Sequence, residues 1–113
     1  MNINDLSRKS CEACSVEAPR TTEEEISEFM SQLPDWEIVE VDGVRRLNCV
    51  YKFRNYMDAL SFTNRVAELA ESENHHPALL IEWGKVTVSW WTHKIKGLHV
   101  NDFVMAAKTD SKL

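Results

Sequence analysis

Four histidines are the residues of this 113-residue chain best suited to chemistry at neutral pH: the adjacent pair His75 and His76, then His93 and His99. Imidazole titrates near about 6.5, so one ring can donate a proton while a neighbour accepts one. An acid-base elimination needs that combination. Two acids are placed to tune them, Glu71 four residues before His75 and Asp102 three residues after His99. Trp83, Trp90 and Trp91 add flat apolar surface of the kind that sandwiches a heteroaromatic ring.

Taken singly, each of these residues has a plainer reading. His75-His76-Pro77 reads as a polar helix stop, His93 as surface, Asp102 as a helix N-terminal acid favoured by the macrodipole, and the tryptophans as core. Their joint placement favours function, because the elements that carry them converge. Leu79 to Trp83 and Val86 to Thr92 read as a hairpin, and Gly84-Lys85 suits a two-residue turn. With that turn Trp83 faces Val86, and the ladder carries His76 opposite His93. The mouth of the hairpin is then expected to hold three imidazoles and two carboxylates.

The remaining elements follow from periodicity. Thr22 with Glu25 makes a capping box, after which Ile26, Phe29, Met30 and Leu33 share a helical face until Pro34. Trp36 to Val41 is a strand, Asp42-Gly43 a turn, and Leu47, Cys49, Tyr51 and Phe53 alternate with polar residues in the returning strand. Asn55 caps a long helix with a broad apolar stripe (Tyr56, Ala59, Leu60, Phe62, Val66, Ala67, Leu69, Ala70) that Pro77 cannot continue. A last helix follows Gly97. The order helix-strand-strand-helix-strand-strand-helix implies an α+β single domain, a four-stranded antiparallel sheet with three helices on one face. So small a sheet needs its open face or edges protected, and pairing with another copy is a common solution.

Composition sets the outer bounds. The chain has room for one domain, and its net charge of −5, without a basic run, argues against nucleic acid as a partner. Residues 1–20 are polar and aperiodic, which reads as a flexible N-terminal arm before a domain over residues 21–113. Neither a signal peptide nor an apolar run long enough for a membrane span is visible, so a cytoplasmic protein with no membrane partner is expected. The odd set Cys11, Cys14 and Cys49 argues for reduced thiols.

The run Glu71, His75-His76-Pro77, Trp83, His93, Asp102 resembles the signature of the pterin-4a-carbinolamine dehydratases, with Ala59-Leu60-Ser61-Phe62 before it and Gly97-Leu98 after His93 in agreement. The likeness runs from about Thr21 to Lys108 and is nearest to bacterial members that accompany phenylalanine hydroxylase. It implies dehydration of a 4a-hydroxytetrahydropterin to quinonoid dihydropterin in a dimer or tetramer, with no metal or other cofactor. It also implies catalytic roles for His75, His76 and His93, with Glu71, Trp83 and Asp102 supporting catalysis or binding substrate. One departure stands out. Relatives commonly begin the last helix with Ser or Thr where this chain has His99, so Asp102 is expected to be held less rigidly.

Three rival readings remain. Cys11-Glu12-Ala13-Cys14 has the spacing of a zinc half-site that His75 and His76 could complete, though one CxxC is weak evidence. A non-enzymatic partner role would use helix surface, as in animal relatives that act as dimerisation partners of a transcription factor. Action on another pterin is the third.

Overall fold

The computed structural model describes residues 20–113. Cys11, Cys14 and the rest of segment 1–19 lie outside the described residues, and with them the zinc half-site. Helix α1 spans Glu23–Met30, β1 Glu37–Val41, β2 Val44–Lys52, α2 Tyr56–Glu73, β3 Ala78–Glu82, β4 Lys85–Trp90 and α3 Val100–Asp110. A short 3-10 turn, His93–Ile95, separates β4 from α3. The sheet is antiparallel throughout, in the order β1-β2-β4-β3.

Local chemistry accounts for most boundaries. The Thr22 hydroxyl accepts from Glu25 N–H while the Glu25 carboxylate accepts from Thr22 N–H, so both halves of the predicted capping box are present. Asn55 caps α2 by accepting from Asp58 N–H at 2.8 Å. Asp42 and Gly43 both take positive φ, which lets a two-residue turn join Val41 to Val44 with the twist of the strands. Helix α2 ends before Pro77 is reached: Asn74 adopts the left-handed conformation, and His75 N–H returns to the Ala70 carbonyl at 3.1 Å. Asparagine tolerates that conformation, and the closure turns His75 inward.

One side of the sheet is dry. Leu47, Cys49 and Tyr51 of β2 alternate into the same layer as Val86, Val88 and Trp90 of β4, against Phe62 and Val66 of α2 and Phe103 and Val104 of α3. Helix α1 closes this layer through Phe29, whose ring lies 5.2 Å from that of Phe103. Full burial of a side chain such as Phe62 is worth about 1.5–3 kcal/mol, so this apolar layer is the main source of stability. Trp36 Nε1–H and Tyr51 O–H both donate to Asp110 Oδ1, tying the last turn of α3 to β2. Burial pushes the Tyr51 phenol well above its usual range, and its bond to Asp110 adds to this.

Cys49 in that layer carries a testable consequence. Burial pushes its thiol up to about 11, so at pH 8 the folded protein holds almost no Cys49 thiolate. In Cys11→Ser/Cys14→Ser protein, iodoacetamide at pH 8 is expected to label nothing until denaturant unfolds the chain. Rapid labelling of native protein would contradict this packing.

The second hairpin corrects the register expected above. Glu82 pairs with Lys85, so the turn is Trp83-Gly84 rather than Gly84-Lys85. Ile81 faces Val86 and Leu79 faces Val88. The difference is two residues, which keeps every side chain on its face, so hydrophobic alternation could not decide between the two registers. A tertiary contact decides it. The Gly84 carbonyl accepts from Phe53 N–H at 2.8 Å, and a Cβ on Gly84 would sit 3.2 Å from the Phe53 carbonyl oxygen. A side chain at the second turn position would press on the end of β2, so glycine is favoured there.

Candidate active site

The continued ladder brings Trp91, not His93, level with His76, and the route by which the histidines gather is a different one. Its centre is Asp102, fully buried in the first turn of α3. Its Oδ1 accepts from His75 Nε2–H at 2.7 Å, and its Oδ2 accepts from the Thr92 hydroxyl at 2.8 Å and from His99 N–H at 2.9 Å. One carboxylate thus joins the end of α2, the segment after β4 and the start of α3. Charge-assisted bonds of this kind are short and strong, and in a dry site they set orientation.

His75 is itself buried and lies parallel to Trp90, 5.6 Å between centroids and 10° between planes. Trp90 is fixed in turn by donation from its Nε1–H to the Thr109 hydroxyl at 3.1 Å. Because a carboxylate only accepts, the bond to Asp102 places the His75 proton on Nε2 and makes Nδ1 the basic nitrogen of the neutral ring. This is the arrangement in which an acid fixes the tautomer and the orientation of an imidazole.

His76 points outward from the same chain reversal and donates to Glu71 Oε1 at 2.5 Å; both side chains are exposed. His93 lies in the 3-10 turn rather than at a strand end, is exposed, and rests on Trp91 with 4.5 Å between ring centroids. That turn is closed by reciprocal backbone bonds between Thr92 and Gly97. It is also held from behind by Arg20, whose guanidinium donates to the Ile95 carbonyl at 2.6 Å, and by Thr21 N–H on the Leu98 carbonyl. Arg20, assigned to the arm by composition, is thus bonded to the loop that carries His93.

Of the residues singled out from sequence, His75 and Asp102 meet directly, and Glu71 meets His76. His93 joins them through its neighbour Thr92, which shares the Asp102 carboxylate. Trp83 is not brought to them within the chain. It stands in the β3–β4 turn, at the opposite end of the hairpin from His75 and His76, and is 72% exposed.

Several contributors carried weak sequence signals or none. Thr92 had none. Arg46 on β2 places its guanidinium carbon 3.9 Å from the centre of the Trp91 ring, on which His93 also rests. Asn74 was legible as a residue tolerant of left-handed backbone. The expectation that His99 loosens Asp102 is corrected. The His99 ring accepts from Asn101 N–H through Nδ1 at 3.1 Å while Asp102 answers from the other side, so imidazole completes a capping box in place of a hydroxyl. Among the described residues, no group of three or more His, Cys, Asp or Glu side chains is arranged to hold a metal ion.

The family model described as pterin 4 alpha carbinolamine dehydratase matches residues 19–112. The chain belongs to that family. A protein of Syntrophotalea carbinolica named as a candidate pterin-4-alpha-carbinolamine dehydratase is 62% identical over 108 residues, 96% of each chain. One of the same name from Nitrosococcus oceani is 61% identical over 111 residues, 98% of each. A crystal structure of a transcriptional coactivator/pterin dehydratase from Brucella melitensis superposes with a TM-score of 0.75 at 31% identity, covering 83% of this chain and 98% of that one. A pterin dehydratase-like RuBisCO assembly factor of the alpha-carboxysome shares the fold, with a TM-score of 0.59 at 18% identity over 69% of this chain and 88% of that one. The pterin dehydratase fold therefore carries more than one role, and the site has to argue for the activity. No helix among the described residues is long and apolar enough to cross a membrane.

Proposed function

We propose that this chain is a 4a-hydroxytetrahydropterin dehydratase, a hydro-lyase that works by histidine acid-base catalysis in the cytoplasm as a homo-oligomer. It would support reuse of tetrahydropterin by phenylalanine hydroxylase. The observation that carries this reading is the buried His75–Asp102 pair set beside the exposed His76–Glu71 pair in a member of this family.

The reaction asks for two proton movements. The N5 lone pair expels the 4a-oxygen once that oxygen is protonated and can leave as water, and the resulting cation then loses a ring N–H proton to a base. His75, oriented through Nε2 by Asp102, and His93, held against Trp91, are assigned as the proton-transfer pair. His76, steadied by Glu71, positions the pterin. Two exposed rings and one buried ring fit this division: the exposed ones meet the substrate as it enters, while the buried one keeps a fixed tautomer.

The test is a stopped-flow assay in which freshly formed 4a-hydroxytetrahydropterin decays in buffer with and without protein. Dehydration at neutral pH is expected to exceed the buffer rate by about a hundred- to ten-thousand-fold at saturating enzyme, the range of general acid-base help. Decay at the buffer rate would refute the assignment.

A further inference from the structure

Alternation along the strands sets a row of side chains across the helix-free face of the sheet. Trp90 and Leu47, paired across β4 and β2, are both fully buried, so the next residue on each strand, Trp91 and Arg46, turns to the opposite face. The row extends on both sides. Arg46 pairs with Val39 of β1, and Trp91 stands level with His76 beyond the start of β3. Neighbouring strands are about 4.8 Å apart, so the backbones of Arg46 and His76 lie roughly 10 Å apart with the indole between them. His93 rests on that indole, and Glu71 is bonded to His76.

Arg46 is the member of the row without a partner of opposite charge. Its guanidinium carbon lies 3.9 Å from the centre of the Trp91 ring, a contact that holds the side chain in place. Its Nε–H is buried with no acceptor among the described residues. No carboxylate among them pairs with the guanidinium, although exposed Glu37 lies on the same face, two residues from Val39. Leaving a buried donor without an acceptor is costly, and more so when the group is charged. A cation kept in this state calls for an acceptor from outside the chain.

The polarity of the row says what that acceptor is. At one end Glu71 offers carboxylate lone pairs beside His76, suited to the N–H and amino donors that a pterin carries on its pyrimidine ring. At the other end Arg46 offers donors and a positive charge. A pterin laid along the row with N5 and C4a near His93 turns its second ring, and the substituent on C6, toward Arg46. We propose that Arg46 is a specificity-determining residue whose guanidinium takes a carboxylate on the C6 substituent of the pterin, favouring acidic over neutral side chains. A carboxylate is the anion whose two oxygens match the guanidinium fork. The proposal rests on the dehydratase reading of the site.

Equilibrium binding tests the subsite apart from catalysis. Quenching of pterin fluorescence on titration with protein at pH 7 gives Kd for 6-carboxypterin and for 6-hydroxymethylpterin, two ligands of similar size and different charge. Wild type is expected to bind the carboxylated pterin about tenfold more tightly, the scale of one charge-assisted hydrogen bond partly open to solvent. Arg46→Gln should abolish that preference. Arg46→Lys, which keeps the charge and loses the fork, should retain part of it.

Equal affinity of wild type for the two pterins, failure to bind either, or a preference that survives in Arg46→Gln overturns the role of Arg46, whatever the rate of dehydration. A preference that disappears in Arg46→Gln and partly returns in Arg46→Lys supports it. The same result in a wild type that leaves 4a-hydroxytetrahydropterin to decay at the buffer rate supports the Arg46 subsite and counts against the dehydratase reading instead.

Discussion

His93→Ala protein is expected to melt close to wild type and yet to dehydrate 4a-hydroxytetrahydropterin about a hundred- to ten-thousand-fold more slowly in kcat/KM, once the spontaneous rate is subtracted. The two halves of this expectation have separate causes. His93 is exposed in the 3-10 turn, so its removal leaves the core untouched and forfeits only its contact with Trp91. Such a contact is worth about 0.5–1.5 kcal/mol. The fold of the turn survives because the reciprocal Thr92–Gly97 bonds and the Arg20–Ile95 bond do not involve the imidazole. What disappears is one of the two proton carriers. Stopped-flow turnover paired with a thermal melt reads both halves, and undiminished turnover would remove His93 from the mechanism.

The second large effect is on stability. Asp102→Ala is expected to cost about 3–5 kcal/mol, because it removes the acceptor of three buried donors at once: His75 Nε2–H, the Thr92 hydroxyl and His99 N–H. Against a total of about 5–15 kcal/mol for a domain this is a large share, and Tm should fall by roughly 15–30 °C. Glu71→Ala is the contrast. It breaks a bond to His76 that is shorter than any made by Asp102, but both side chains face water, and an exposed pair contributes about 0–1 kcal/mol. Urea titration of the two variants separates them, and an Asp102→Ala protein as stable as wild type would show that the carboxylate does not join the three elements.

The two acids illustrate how far sequence reading reaches. Spacing placed both near histidines, and nothing in the spacing distinguished them. Glu71 lies on α2 where the helix faces solvent, whereas Asp102 is closed in by His75, by Thr92 of the loop after β4 and by the His99 backbone N–H. Burial turns similar carboxylate–imidazole pairs into a surface contact in one case and a buried anchor in the other. His99 makes the same point from the other direction: by residue type it looked like a weaker cap, yet its Nδ1 accepts as a hydroxyl oxygen would.

Features governed by neighbours along the chain were determined by the sequence itself: the Thr22–Glu25 capping box, the Asn55 cap, the Asp42-Gly43 turn, the apolar stripe of α2 and the alternation of β2 and β4. Each rests on interactions spanning four residues or fewer, or on a period that the amino-acid order displays directly. Tertiary structure alone decided the register of β3 on β4, the burial of Asp102 and the distance of Trp83 from the histidines of its own chain. A slip of two residues leaves the hydrophobic pattern unchanged, so only the approach of Gly84 to Phe53 selects the register, and only the meeting of three separate elements takes one carboxylate out of water.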